Sequence, residues 1–197
     1  MEINNHSNIS FQAKVGPKLL NEVSKEFGGC QPSVDKFTDL FEKVYSNLLD
    51  NNTVIDINRD KRYIMSHIAF PDILCELRES ILPYKSLPEA IITECPKIFG
   101  YGEKILFQQI TAKLADKMSL DKLEMLAKSK VLTPKNQNEF LEIINTAKRI
   151  KVEKPNSKLT NLEFEIMENK IFQEKLDTLA KKSFGVKDLI SALTPDK

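Results

Sequence analysis

Apolar side chains recur along most of this chain at intervals of three and four residues, the spacing that lines one face of an α-helix. Leu19, Leu20, Val23 and Phe27 follow Pro17 and stop at Gly28-Gly29, which predicts a short helix with proline in its first turn and a left-handed end. The strongest stripe is Val34, Phe37, Leu40, Phe41, Val44, Tyr45, Leu48 and Leu49, with Ser33 placed to cap its start and Asp50-Asn51-Asn52 closing it. Pro71 restricts Phe70 and suits a first turn, so a helix is expected through Ile73, Leu74, Leu77 and Ile81 to Pro83. Ser86-Leu87-Pro88-Glu89 reads as a capping box ahead of Ala90, Ile91 and Ile92, in a short helix that Cys95-Pro96 ends.

Beyond a Phe99-Gly100-Tyr101-Gly102 turn, the pattern resumes with Ile105, Leu106, Phe107, Ile110, Leu114 and Met118. Ser119 restarts it for Leu120, Leu123, Leu126 and Ala127, and Thr133-Pro134 does so for Phe140, Ile143, Ile144, Ala147 and Ile150. A lysine-rich, proline-containing connector, Lys151 to Lys158, precedes a long helix from Asn161 to Ser183. Val186, Leu189, Ile190 and Leu193 then predict a final short helix.

Alternation with a period of two is confined to Ile9–Ala13 and Thr53–Ile57. The first belongs to an extended arm over residues 1–16; the two segments could pair as isolated strands. Zero Trp and six Gly also favour helix over sheet. The expectation is therefore one all-α compact domain of about eight helices, mostly antiparallel neighbours, with an extended N-terminal arm. A subdomain boundary near residues 151–158 is the main variant.

The chain has 197 residues, enough to bury a continuous core, and its 41% apolar and 29% charged residues are a globular composition. Lys+Arg 29 against Asp+Glu 28 leaves a charge of +1, so no whole-molecule field steers a polyanion or an anionic membrane to it. Arg59, Arg62, Arg78 and Arg149 are the arginines, and the prevailing lysines lack the fork that reads bases. Three widely spaced cysteines, Cys30, Cys75 and Cys95, suit a reducing compartment. With no signal peptide or membrane span in the pattern, the expected location is the cytoplasm.

Candidate chemistry is sparse. Asp56-Ile57-Asn58-Arg59-Asp60 alternates oxygen donors as a calcium loop does, but Lys61 replaces the glycine and His67 the bidentate Glu, so a polar loop between helices is expected. Gly100-Tyr101-Gly102-Glu103-Lys104 lacks the third glycine and the Lys-Ser/Thr ending of a phosphate loop. His6 and His67 are the only histidines and support neither a metal site nor a nucleophilic pair; Cys75, on the helix after Pro71, is expected to be a core thiol. No cofactor and no metal are expected, and no catalytic residue can be named. The opening Ile9-Ser10-Phe11-x-Ala13 resembles the starts of some uncharacterised bacterial proteins and implies no activity.

Helices without convergent titratable residues fit a protein-protein interaction or adaptor module, which takes a partner's apolar helix between its own. The alternatives are an enzyme with a site scattered through the sequence, or lysine-mediated, non-specific nucleic-acid binding. Two buried carboxylates with mutually perturbed pKa values in one pocket would favour the enzyme. Lys148, Arg149, Lys151, Lys154 and Lys158 form the densest basic run, opposed by Glu153, and no aromatic residues interleave with them, so nucleic acid is disfavoured. The helix from Asn161 has apolar residues on several sides: it is either a central core helix or a partner surface, a homodimer interface included, with Phe164 and Phe172 as the test positions.

Overall fold

The computed structural model describes residues 13–81, 85–129, 131–132 and 134–181. They form β1 (Lys14–Val15), α1 (Pro17–Glu26), α2 (Gln31–Tyr45), β2 (Thr53–Ile57), β3 (Arg62–His67), β4 (Phe70–Ser80), α3 (Leu87–Thr93), α4 (Pro96–Ala115), α5 (Leu120–Ala127), α6 (Pro134–Glu153) and α7 (Asn161–Lys181). The chain divides into two compact units, residues 1–144 and 145–197.

The all-α expectation is thereby corrected. Among the described residues seven helices accompany a four-stranded mixed sheet, so the protein is not a helical bundle. The strands lie in the order β1-β2-β3-β4; β1 runs parallel to β2 and the other pairs are antiparallel. The extended arm does supply a strand, as Lys14 and Val15 pair with Val54 and Ile55. The expected helix after Pro71 is instead β4, with Ile73, Cys75 and Leu77 buried between the exposed Asp72, Leu74, Glu76 and Arg78. That alternation is the period of a strand. Residues 1–12 of the extended arm and the final helix expected over residues 186–193 lie outside the described residues.

The polar loop expected between helices at Asp56–Asp60 is instead the turn of the β2–β3 hairpin. Asn58 Oδ1 accepts the N–H groups of Asp60 and Arg62, each at 2.9 Å, and Lys61 takes φ 58°. Asp56 leaves the loop altogether: its Oδ1 accepts the Leu19 N–H at 2.8 Å and so caps α1. The two glycines that end α1, Gly28 and Gly29, both have positive φ, which favours glycine there.

On one face of the sheet Ile55, Ile57, Tyr63, Met65, Cys75 and Leu77 are buried beneath helices; on the other, Leu74 is exposed. The Phe99–Gly102 turn does not exist, because α4 runs unbroken from Pro96. Gly102 serves packing instead. A Cβ there would stand 2.6 Å from Met65 Sδ and 2.8 Å from Leu77 Cδ2, so its absence lets α4 approach the sheet closely. Phe37, Phe41, Tyr45, Phe99 and Tyr63 follow one another as an aromatic row with centroids 4.4–6.2 Å apart. The Tyr45 hydroxyl donates to the Ile91 carbonyl at 2.5 Å, which ties α2 to α3.

In residues 145–197, Arg149 and Glu174 form an ion pair at 2.6 Å, and Glu153 pairs with Lys170, joining α6 to α7. Among the described residues, no helix is long and apolar enough to cross a membrane.

Candidate functional site

The apolar layer between α4 and the sheet turns polar at one end. Thr53 and His67 are cross-strand partners in β2 and β3, and both are fully buried near Glu103 of α4. Glu103 Oε1 accepts the Asp50 N–H at 2.7 Å and the Thr53 hydroxyl, while Oε2 accepts from Asn136 Nδ2 at 3.0 Å. Burial pushes the Glu103 carboxyl up to about 8 against the pull of its Thr53 and Asp50 hydrogen bonds, with help from the charges of Asp50 and Glu139. His67 Nδ1 accepts the Ala69 N–H at 3.1 Å, so Nε2 carries the proton and donates to Asp50 Oδ1, also at 3.1 Å. Asp50 Oδ1 further accepts the Asn52 N–H at 2.7 Å.

This cluster holds two buried carboxylates, yet it lacks the access that catalysis needs. Both His67 ring nitrogens are engaged inside the fold, and the side chains of Asp50, His67 and Glu103 have no exposed surface. Its chemistry is that of a satisfied polar core, which fixes the loop after α2, the sheet, α4 and α6 against one another. Among the described residues, no group of three or more His, Cys, Asp or Glu side chains could hold a metal ion.

A different feature opens to solvent. Between α2 and α3 lies a groove of about 380 Å³, walled by Phe37 and Leu40 of α2, Pro88 and Ile92 of α3, and Phe27 just past α1. Leu40 is 51% exposed there, although Phe37, three residues earlier, is 3% exposed. Lys36 stands on the α2 wall and Glu89 on the α3 wall, both exposed. The groove exists because the α2 stripe is wider than one core face: Val34, Phe37 and Phe41 turn inward and Leu40 is left over.

The sheet offers a second surface, the outer edge of β4, but it is guarded. Pro71 lies in it, the register against β3 shifts between Arg62 and Ile64 and between Ser66 and His67, and Lys113 Nζ donates to the Asp72 carbonyl at 3.2 Å. Proline, bulges and a lysine are the devices that discourage strand addition.

The sequence candidates fall elsewhere. Phe164 is fully buried, whereas Phe172 is 51% exposed. Of the basic run, Arg149 is paired with Glu174, Lys151 Nζ donates to the Ser157 carbonyl, Lys148 has a partner, and Lys154 and Lys158 are exposed. Cys75 is on β4 and not on a helix; burial pushes its thiol up to about 11. Cys95 is also buried and raised. Cys30 is the exposed thiol, at the N-cap of α2, where the Ser33 hydroxyl donates to its sulfur at 3.4 Å and lowers its pKa. Ser33 thus sits inside the first turn rather than capping it.

Sequence reasoning missed the Glu103 cluster. Its signal is a polar residue on an apolar stripe: Glu103 follows Phe99 by four and precedes Leu106 and Phe107 by three and four, as Asn136 precedes Phe140. The groove has a signal too, in Leu40 and Ile92, apolar residues at the border of their stripes.

Comparison with protein-family models, with curated proteins and with solved structures yields no match for this chain.

Proposed function

We propose that this protein is a protein-interaction module that seats an apolar segment of a partner in the groove between α2 and α3. The observation that carries this reading is the half-exposed Leu40, continuous with Phe37, Pro88 and Ile92 in an open apolar trough of about 380 Å³. Isolated exposed leucines are ordinary on protein surfaces; a leucine that extends a groove walled by further apolar side chains is the more informative case.

The enzyme reading is weakened by the burial of Asp50, His67 and Glu103, which puts the most chemically loaded cluster beyond a substrate's reach. The nucleic-acid reading is weakened by the ion pair that Glu174 makes with Arg149 inside the basic run.

The test is selection of a displayed library of helical peptides on the native protein, followed by rebinding to a Leu40→Asp variant whose circular dichroism and melting match the native protein. The reading expects enriched sequences with an apolar stripe that lose binding to the variant. Enriched peptides that bind both proteins equally, or no enrichment at all, would overturn it.

A further inference from the structure

The walls of the groove say what shape its occupant takes. Both are α-helices, whose backbone N–H and C=O groups are bonded within the helix, so the trough offers side chains and no ladder of backbone partners. An extended segment lying face-down there would lose water from backbone groups without regaining hydrogen bonds. A helix brings its own. The lining residues of α2 run from Ser33 to Leu40, a rise of about 10 Å, which matches about two turns of an apposed helix.

The charges say how that helix is decorated. Lys36 on the α2 wall and Glu89 on the α3 wall are exposed, and neither side chain has an ion-pair partner among the described residues. A polyanion or the carboxylate of an acyl chain would meet Lys36 favourably and Glu89 unfavourably. A peptide with acids on both flanks, or bases on both, faces the same conflict. Only a ligand carrying both signs satisfies both walls.

We infer that the occupant is an amphipathic helix of a partner protein, about two turns long, with its apolar stripe flanked by acidic residues on the Lys36 side and basic residues on the Glu89 side. This rests on the groove being the docking site. Reversing the helix direction exchanges its flanks, so the charges select for mixed flanks and not for one chain direction.

Three fluorescent helical peptides with one common leucine stripe test this by anisotropy: Glu on one flank and Lys on the other, Lys on both, and Glu on both. The mixed peptide is expected to bind the native protein several-fold more tightly than either uniform peptide. With Lys36→Glu the all-Lys peptide becomes the tightest, and with Glu89→Lys the all-Glu peptide does; both positions are exposed, so these variants keep the fold. Equal affinity for all three peptides, a ranking unmoved by the charge reversals, or no binding by any peptide overturns the inference. The display selection assumes no charge pattern, so a groove that takes apolar helices without charge preference still passes there and fails only here.

Discussion

The carboxylate of Asp56 fills the space beside Gly16. A Cβ on residue 16 would stand 2.3 Å from Asp56 Cγ and 2.4 Å from its Cβ, while Asp56 Oδ1 accepts the Leu19 N–H at 2.8 Å. A residue of β2 thus caps α1, and the glycine before the helix admits it. Asp56→Ala should cost about 1 kcal/mol through the lost cap. Gly16→Ala should cost at least as much, because the methyl displaces that carboxylate. Made together, the two should cost less than the sum, since once the carboxylate is gone the methyl has only the Cβ of residue 56 left to displace. A urea double-mutant cycle measures this; strict additivity contradicts it.

Glu103 makes stability fall with rising pH. Its folded-state pKa, about 8, lies above its ordinary 4.5, so its contribution is complete below 4.5 and is lost as pH rises through 8. Between pH 5 and 8 the native protein should lose a few kcal/mol relative to Glu103→Gln, whose amide accepts the same Asp50 and Thr53 hydrogen bonds and does not ionise. Chemical denaturation of both proteins across that range is the measurement. Parallel pH profiles would show that Glu103 is ionised in the fold at neutral pH.

Cys30 should be the reactive thiol. It is exposed with a lowered pKa, whereas burial raises those of Cys75 and Cys95. Native protein at pH 7.5 should take up one equivalent of iodoacetamide at Cys30, and Ser33→Ala should slow that reaction by removing the hydroxyl that donates to the sulfur. Mass spectrometry after timed quenching reads both, and labelling of Cys75 or Cys95 at a comparable rate would contradict the burial described.

How far the sequence could be read depended on which residues were ambiguous. The stripes of α2 and α6 and the Ser119 cap, which accepts the Lys122 N–H at 3.3 Å, follow from spacing alone. The sheet was hidden because Ile73, Leu77 and Ile81 recur every four residues and satisfy a helix, while the strand uses Ile73, Cys75 and Leu77. Counting Cys75 as apolar separates the two periods. Tyr63-Ile64-Met65 shows no alternation, since Ile64 is half-buried on the opposite face from Tyr63 and Met65. The α4 glycines suggested a break because local propensity cannot reveal that Met65 and Leu77 need the room at Gly102. The groove lies between segments more than forty residues apart in sequence, and only the fold brings Leu40 to Ile92.

The most direct test of the groove is an amide chemical-shift map of the isotopically labelled protein titrated with the mixed-flank peptide. Shifts concentrated at Ser33 to Leu40 of α2 and Glu89 to Thr93 of α3 are expected, saturating together with one dissociation constant. Shifts clustered instead along the β4 edge from Asp72 to Arg78, or on α7 around Phe172, with α2 and α3 unmoved, would contradict it.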